Sequence, residues 1–438
     1  MKRKIAFVLL GVIALFTTVI AETVVDGGTS FKLKASRDGS MYKKGEKIEF
    51  VLEATKDGKP VKDIRFWYRL SKDGIMPYVS NTGITGENGK AVIVSEGLEE
   101  AGVVRCQVEL KNPETNKVLY VLAGAGVDFC SIKMSRDMPE GFENYWEEQK
   151  KILAAIPMNA EMKPVGYESQ NVEVFDIKAN SYKGFLTGYY ARPKGAKVKS
   201  CPAIILPHGA GVRSSSMHNA ISYASEGFIA LDYNAHGIPN GMPDDYYKNL
   251  AKTTLKGYMS FGADNREKSF YRELYLRTLR ALEFLMAQPE WDGKILIASG
   301  GSQGGCQAIV AGGLCDKLSM VVAMVPGMCD HTGLLANRVA GGPQIIKFDK
   351  FGNYNKDMLR ALPYFDVANF AALLKCKSIL TLGLRDNICP PSSVYAAYSN
   401  IKSEKLLIID EEASHRVPAK TKKKCREYIL DYVAKAKK

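Results

Sequence analysis

Ser302 stands in a sequence setting that could make its hydroxyl a nucleophile. It occupies the pattern Gly-x-Ser-x-Gly over 300–304, directly after the apolar run 295–299 and before a stretch rich in small residues. A strand, a glycine-flanked turn and a helix in this order are typical of a nucleophile elbow, which presents a serine hydroxyl at the carboxyl end of a strand. The pattern therefore predicts nucleophilic catalysis by Ser302 in preference to a structural turn.

A serine nucleophile needs a general base, and the chain has five histidines. In folds that carry this elbow, an acid and then a histidine follow the serine along the chain. Only His331 and His415 follow Ser302, and His331 comes before any plausible strand for the acid. His415 follows the last predicted strand, so we predict it as the base. His208 is then a loop-shaping residue.

The acid of the triad should lie between the serine and the histidine, in a loop after a strand. Asp386 meets this condition, because it follows the apolar run 378–384. Its role would be to orient the imidazole and to stabilise the imidazolium. Asp330 and Asp366 are the competitors. Asp330 comes one strand too early, and Asp366 does not follow a strand.

The tetrahedral oxyanion of acyl transfer needs two backbone N–H donors. One donor is predicted to be the amide of Gln303, the residue after the nucleophile. The other should come from the loop after the apolar run 203–206, which reads Pro-His-Gly-Ala-Gly over 207–211. We predict the amide of Ala210 as the second donor of this oxyanion hole.

From about residue 165 onward, apolar runs alternate with helical patterns, of which 271–288 is the clearest. Strands that are apolar along their whole length are typical of a sheet covered on both faces. The pattern predicts a doubly wound, mostly parallel α/β domain over 165–438, the α/β-hydrolase fold. Its predicted strands are 172–177, 185–191, 203–206, 228–232, 295–299, 320–325, 378–384 and 406–410.

Residues 22–131 are predicted to form a small all-β sandwich, immunoglobulin-like in outline, because short β-rich runs alternate with turn signals. Residues 132–164 are expected to be a linker with one helix, over 140–155, which Asp137 would cap. The predicted strands of the sandwich are 47–55, 64–70, 90–95, 103–110 and 118–129.

The amino-terminal segment resembles a secretory signal peptide. Residues 1–4 are basic, 5–20 are apolar apart from two threonines, and Ala21 offers a cleavage site. The alternative is an uncleaved anchor helix, but the run is shorter than the roughly 20 residues that a spanning helix needs. We expect export to the periplasm or the medium, with no stable membrane insertion.

The formal net charge is +13, and part of this charge lies near the carboxyl terminus. Apolar residues recur there at helical spacing, which favours an amphipathic helix with a solvated basic face over a nucleic-acid or anionic-surface site. We therefore expect no nucleic-acid partner. The basic residues concerned are Lys420, Lys422, Lys423, Lys424 and Arg426.

The chain has nine cysteines, an odd number, so at least one thiol is free or pairs with another chain. Export permits disulfides, and Cys106 with Cys130 is a candidate pair that the sequence leaves open. There is no CxxC, HExxH or acidic calcium loop in the sequence. We therefore expect neither a metal site nor a cofactor.

Over roughly residues 135–438 the sequence resembles the acetyl xylan esterase / cephalosporin C deacetylase family, carbohydrate esterase family 7. The stretches that carry the resemblance are FYRELYLRTLRALEFLMAQP (270–289), GGSQGG (300–305), YFDVANFA (364–371) and LGLRDNICPPSSVYAAYS (382–399). The resemblance implies a Ser302–Asp386–His415 triad with Ala210 and Gln303 as oxyanion donors, which agrees with the reading from the residues. It also implies removal of acetyl groups from short xylooligosaccharides and other small acetylated compounds, and it allows a homo-oligomer.

The sequence departs from the family pattern at three places. Ala210 stands where the family usually has a tyrosine, Asn234-Ala235-His236 replaces an Arg-Gly-Gln motif, and Arg416 replaces the glutamate after the catalytic histidine. These changes leave the triad intact and bear on substrate preference and assembly.

Two other classes of function remain open at this stage. An exported peptidase of the same fold would keep the triad but should carry an acidic pair to hold a peptide amine. A non-catalytic glycan-binding protein would use the β-domain as its binding module and would not react with a fluorophosphonate probe.

Overall fold

The computed structural model describes residues 23–167, 169, 171–346 and 353–437. The predicted signal peptide, residues 1–21, lies outside the described residues. Within the described ranges, none of the helices combines the length and the apolar composition needed to cross a bilayer.

The amino-terminal part of the chain forms two five-stranded sheets. The first has the order β1-β2-β4-β5, with β8 also paired to β4, and the second has the order β3-β10-β9-β6-β7. The strands are β1 Thr23–Asp26, β2 Thr29–Ala35, β3 Met41–Tyr42, β4 Ile48–Lys56, β5 Lys59–Pro60, β6 Arg65–Lys72, β7 Pro77–Ile84, β8 Lys90–Ser95, β9 Gly102–Lys111 and β10 Val118–Val127. The sequence runs predicted β4, β6, β8, β9 and β10, whereas β1, β2, β3, β5 and β7 were not predicted.

Alternation of side chains explains how these sheets form a core. In β4, Ile48, Phe50, Leu52 and Ala54 are fully buried, while the residues between them are at least partly exposed. Alternate side chains of a strand point to opposite faces, so one face of each sheet contributes to a common apolar cluster.

Helix α1, Phe142–Ala154, follows the two sheets. Its N-cap is Gly141 at φ 71°, and no side chain caps it, so the predicted cap at Asp137 is wrong. Glycine adopts this left-handed conformation without the cost that a Cβ imposes. The helix packs on the catalytic region, where the indole N–H of Trp146 donates to the carbonyl of Tyr364 at 2.9 Å.

The remaining strands form one nine-stranded sheet of order β11-β12-β13-β15-β14-β16-β17-β18-β19. Its first three strands are antiparallel, and parallel pairing runs from β15 to β19. The strands are β11 Glu161–Pro164, β12 Val172–Ser181, β13 Gly184–Pro193, β14 Cys201–Ile205, β15 Ile229–Tyr233, β16 Trp291–Gly301, β17 Met320–Met324, β18 Lys377–Gly383 and β19 Lys405–Asp410. Strand β11 was predicted as linker; its polar sequence carries no strand signal, and pairing with β12 brings it into the sheet.

Helices cover both faces of this sheet and complete two large apolar clusters. The central strands β14 and β15 are buried at every position, as a sheet covered on both faces requires. The helices are α2 Met217–Ala224, α3 Asp244–Lys252, α4 Phe270–Met286, α5 Gln303–Leu314, α6 Lys356–Ala361, α7 Val367–Ala372, α8 Pro391–Asn400 and α9 Ala419–Ala436. The architecture is α/β.

Helix α9 is the amphipathic helix that was predicted near the carboxyl terminus. Cys425, Ile429 and Val433 of α9 are buried and the lysines 420 and 422–424 are exposed, so the basic face of the helix is solvated.

All nine cysteines lie in the described part of the chain, and each is a free thiol. Cys106 is buried within the amino-terminal core whereas Cys130 is exposed, so the candidate pair between them does not form.

Candidate active site

Ser302 lies at the turn between the central strand β16 and helix α5. Its backbone has φ 58° and ψ −123°, a conformation that non-glycine residues seldom adopt outside functional sites. The Ser302 amide donates to the carbonyl of Met324 at 2.9 Å, which ties the turn to the neighbouring strand β17. A Cβ at Gly300 would lie 2.7 Å from the carbonyl oxygen of Pro207, and a Cβ at Gly304 would clash with the same atom. The glycines therefore allow the turn to pack against the loop after β14.

The structure brings Ser302, His415 and Asp386 together in one hydrogen-bonded series. His415 Nε2 lies 2.9 Å from Ser302 Oγ, and His415 Nδ1 lies 2.9 Å from Asp386 Oδ2. Each residue comes from a loop at the carboxyl end of a parallel strand, β16 for the serine, β18 for the acid and β19 for the histidine. This arrangement allows the histidine to take the serine proton while the carboxylate holds the imidazole orientation.

The carboxylate of Asp386 is fully buried and every oxygen is used. Oδ1 accepts the backbone N–H groups of Ile388 and Cys389, both at 2.8 Å, and Oδ2 faces His415. These contacts fix the orientation of the carboxylate, so that Oδ2 faces the imidazole.

The two competing carboxylates are occupied elsewhere. Asp330 accepts from the amide of Ser135 at 2.8 Å and pairs with Arg338 at 2.6 Å. Asp366 caps helix α7 and also accepts the amides of Asp330 and His331. Burial and the neighbouring Asp330 carboxylate raise the pKa of Asp366 to about 7. Both therefore have structural contacts and do not hydrogen-bond to His415.

Three other histidines are placed as structural residues. His208 Nδ1 lies 2.7 Å from the carbonyl oxygen of Gly209, and its Nε2 accepts the amide of Ala235 at 3.3 Å, which fits the predicted loop-shaping role. Burial lowers the pKa of His208 and of His236 to about 4, and that of His331 to about 3. These imidazoles therefore stay neutral across the neutral pH range.

The two backbone amides predicted to bind the oxyanion lie on either side of the nucleophile. Gln303 is the first residue of α5, so its N–H points out of the helix amino terminus. Ala210 lies in the loop after β14, where a Cβ added to its neighbour Gly209 would be 3.6 Å from Ser302 Cβ. Among the residues that the structure describes, neither amide has a hydrogen-bond acceptor. Both are thus available to an oxyanion.

Two residues that the sequence analysis missed hold these segments together. The hydroxyl of Tyr258 accepts the amide of Gly211 at 2.9 Å and donates to the side chain of Gln303 at 3.2 Å. Arg213 donates to the carbonyls of Ala210, at 3.0 Å, and Gly209, at 2.9 Å. Tyr258 begins a three-residue 3-10 helix, Tyr258–Ser260, that carries no motif, so no signal in the sequence could have marked it.

A family model described as "Acetyl xylan esterase (AXE1)" matches residues 129–432, well over half of the chain. The chain belongs to the acetyl xylan esterase family. Members of this family are carboxylic ester hydrolases. In this chain Ser302 Oγ, the His415 imidazole and the Asp386 carboxylate are joined by hydrogen bonds.

The family assignment agrees with individual relatives. The acetyl esterase Axe7A of Xylanibacter ruminicola is 26% identical over 426 residues, which cover 96% of this chain and 94% of the relative. Two solved acetyl xylan esterases share the fold and cover 69% of this chain. The enzyme from Paenibacillus sp. R4 has a TM-score of 0.61 at 22% identity over 98% of its own chain. The enzyme from Thermoanaerobacterium sp. JW/SL YS485 has a TM-score of 0.62 at 23% identity over 97% of its own chain.

The structure locates the three departures from the family pattern. Ala210 is exposed at the oxyanion loop, where a methyl group stands in place of a phenol. The Asn234 side chain donates to the carbonyl of Arg213 at 2.7 Å and accepts the amide of His236 at 2.9 Å. The His236 ring packs edge-on against Tyr258, with ring centroids 4.4 Å apart. Arg416 is exposed. The first departure therefore lies in the loop after β14, and the second contacts this loop.

The ligand atoms of Asp386, Cys389 and His415 lie within 4.8 Å of one another, as in a metal site. However, two of these residues are already hydrogen-bonded to each other through the atoms that a metal would need. Burial raises the pKa of the Cys389 thiol well above its usual range, which opposes the thiolate that metals bind. The donor set therefore suits proton transfer better than metal binding.

Proposed function

We propose that this acetyl xylan esterase family member removes acetyl groups from acetylated xylooligosaccharides or related small acetylated sugars through a covalent acetyl-enzyme. The observation that carries the proposal is the continuous series from Ser302 Oγ through His415 to Asp386, with 2.9 Å at each step. These distances are within direct proton-transfer reach. The family and the acetyl esterase relative support the acetyl group as the acyl part.

In the proposed first half-reaction, Ser302 Oγ attacks the acetyl carbonyl carbon while His415 Nε2 takes the hydroxyl proton. The amides of Gln303 and Ala210 donate to the oxyanion, and Asp386 stabilises the imidazolium. The tetrahedral intermediate collapses, the bond to the sugar oxygen breaks, and His415 returns the proton to that oxygen. The sugar leaves with a free hydroxyl, and Ser302 carries the acetyl ester.

In the second half-reaction, His415 takes a proton from a water molecule that attacks the acetyl-Ser302 carbonyl carbon. The same two amides hold the second oxyanion. Collapse breaks the bond to Ser302 Oγ, which regains its proton from His415, and acetate is released. The scheme needs no metal or cofactor, because each proton that leaves a group is returned through the same imidazole.

Backbone atoms lie close together beside Gln303. A Cβ at Gly327 would lie 3.8 Å from the Gln303 amide nitrogen and 3.0 Å from the carbonyl oxygen of Gly342. The segment around Gly342 in turn packs against the carbonyl of Ile388. The close approach of backbone to the Gln303 amide is compatible with an acetyl group there, and the family and the acetyl esterase relative support that acyl group.

The test is acetate release from acetylated xylooligosaccharides, acetylated monosaccharides and p-nitrophenyl esters from acetyl to octanoyl, with Ser302→Ala as the matched inactive variant. We expect acetyl esters to be turned over much faster than octanoyl esters, and Ser302→Ala to lose several orders of magnitude. A peptide p-nitroanilide tests the peptidase alternative, and a fluorophosphonate probe tests a non-catalytic protein. Comparable turnover of acetyl and octanoyl esters, or full activity of Ser302→Ala, contradicts the proposal.

We also propose that the two amino-terminal sheets form one immunoglobulin-like sandwich domain, followed by a connecting segment with α1 and by the catalytic domain. The shared apolar cluster of the two sheets and the start of the family match at residue 129 support this division.

We further propose that the protein is exported and that its signal peptide is cleaved after Ala21, as the amino-terminal sequence indicates. The intact mass of the protein recovered from the periplasm or medium tests the cleavage site. A mass that includes residues 1–21 contradicts it.

A further inference from the structure

The loop that carries Asp386, here called the acid loop and defined as residues 384–389, is held from two sides. On the catalytic side, the amide of Arg385 donates to the carbonyl of Ala413 at 3.1 Å. On the other side, the guanidinium of Arg385 donates to the carbonyl of Leu33 in β2 at 2.7 Å. The amino-terminal sheets therefore contact the loop next to the triad acid.

A second contact across this interface reaches Asp386 itself. Arg105, in β9, donates from Nη2 to the carbonyl oxygen of Asp386 at 3.0 Å, across a sequence separation of 281 residues. The carboxylate of Asp386 uses its own two oxygens for the loop amides and for His415. Arg105 thus holds the main chain of the residue whose side chain orients the base.

The turn between β6 and β7 makes room for the Arg105 side chain. A Cβ at Gly74 would clash with the Arg105 guanidinium, so a larger residue there would displace it. The amide of the preceding residue, Asp73, donates to the carbonyl of Val103 at 2.7 Å, which fixes the turn beside β9. Burial lowers the pKa of Arg105, while the nearby carboxylates of Asp73 and Asp386 favour its charged form. These carboxylates therefore partly offset the cost of burying the guanidinium.

The interface around Arg105 is closely packed. A Cβ at Gly124, in β10, would clash with the carbonyl oxygen of Leu384 in the acid loop. The rings of Phe129 and Tyr395 lie 4.6 Å apart between centroids across the same interface. The fully or nearly fully buried apolar residues shared by the two sides are Val103, Phe129, Ile132, Leu382, Leu384 and Val394. Such packing gives the acid loop little freedom to relax.

We propose that Arg105 is a positioning residue for the triad and that the amino-terminal sheets are in this way a working part of the active site. Without its guanidinium, the Asp386 carbonyl loses a charge-assisted donor, and the peptide after Asp386 is freer to rotate. The carboxylate then meets His415 in a less favourable geometry. A small misplacement of a catalytic group can lower the rate by as much as about a hundredfold. This inference rests on the proposed serine-esterase mechanism.

The experiment measures kcat and KM for p-nitrophenyl acetate with the full-length wild-type protein, Arg105→Gln, Arg105→Lys and Gly124→Ala. Rates are expressed per active site, titrated to completion with a fluorophosphonate, so that unfolded protein does not count. For Arg105→Gln we expect kcat to fall about 10- to 100-fold with KM within about twofold of the wild type. Arg105→Lys should recover part of the loss. Lys62→Gln is the matched control, because Lys62 pairs with Glu87 at 2.8 Å on the exposed surface of the amino-terminal sheets.

A double-mutant cycle separates positioning from general stability. If Arg105 acts through Asp386, adding Arg105→Gln to Asp386→Asn should change kcat by less than about twofold. Additive losses, or an unchanged kcat per site in Arg105→Gln, overturn the inference, whatever the kcat of Gly124→Ala. In those cases the wild type still hydrolyses the ester, so the esterase proposal stands; a wild type that neither hydrolyses the ester nor reacts with the fluorophosphonate instead overturns the proposed function.

Discussion

The hydroxyl of Tyr258 joins the two segments that supply the proposed oxyanion donors. It donates to the Gln303 side chain at 3.2 Å and accepts the amide of Gly211, the residue next to Ala210, at 2.9 Å. Tyr258 is only 5% exposed, so water does not readily replace these bonds. One phenol therefore couples the spacing of the Gln303 and Ala210 amides.

Tyr258→Phe is expected to lower kcat for acetyl esters about tenfold, or ~1.4 kcal/mol in the barrier, because the two donors are no longer held together. KM should change little. Tyr271→Phe is the matched control, since the buried Tyr271 hydroxyl has no hydrogen-bond partner among the described residues. Steady-state kinetics of both variants check the prediction, which is wrong if the two behave alike.

Asp386→Asn should mainly lower kcat, whereas Asp366→Asn should mainly lower the free energy of unfolding. An amide at 386 can hold His415 in the wrong tautomer and cannot balance the imidazolium, so kcat should fall by about 10⁴ with little loss of stability. Asp366 accepts three backbone amides, so an asparagine there should lower the free energy of unfolding by about 1–3 kcal/mol, with kcat per folded site retained. Kinetics and thermal unfolding distinguish the two. A kcat loss confined to Asp366→Asn would point to another acid.

The dependence of kcat/KM on pH should identify His415 as the base. Activity should fall on acidification, because a protonated imidazole cannot accept the serine proton. His236, whose pKa burial lowers to about 4, is already neutral across the neutral range. In His236→Gln, kcat/KM should therefore fall over the same acidic pH range as in the wild type. The contact between His236 and Tyr258 affects only the maximum value of kcat/KM. His415→Gln should lose nearly all activity. The assignment is wrong if His415→Gln stays active while kcat/KM of His236→Gln no longer falls at acidic pH.

His331 should make folding sensitive to acid without affecting the reaction. Its ring is 1% exposed, and neither nitrogen has a hydrogen-bond partner within the described residues. Burial lowers its pKa to about 3 in the folded protein, whereas a histidine in the unfolded chain titrates near about 6.5. The unfolded state binds more protons between these values. The stabilising contribution is therefore complete above about pH 6.5 and is lost as the pH falls towards the folded pKa.

The check on this prediction is thermal or urea unfolding of the wild type and His331→Met between pH 7.5 and 4.5. For the wild type, one such group contributes a loss of up to about 1.4 kcal/mol per pH unit below pH 6.5. Methionine fills a similar apolar space without titrating, so the variant should lose less stability on acidification. Parallel pH profiles for the two proteins would show that His331 does not carry this effect.

The sequence by itself determined the local features of this protein. Glycines around Ser302 marked the elbow because a tight turn against the Pro207 carbonyl excludes side chains, and this rule acts within a few residues. Apolar runs marked the central strands of the nine-stranded sheet for a similar local reason, since these strands are buried on both faces. Chain order then singled out Asp386 and His415, and the structure brings both to Ser302.

Only the tertiary structure decided which distant residues support that site. Tyr258 and Gln303 are 45 residues apart, and Arg105 and Asp386 are 281 residues apart. Such pairs follow no periodicity, because they depend on how complete sheets and loops pack against each other. Strand β11 was missed for a related reason: its residues are polar, and a pairing partner in β12 makes them a strand. A side chain that acts through another element's backbone leaves no pattern in its own stretch of sequence.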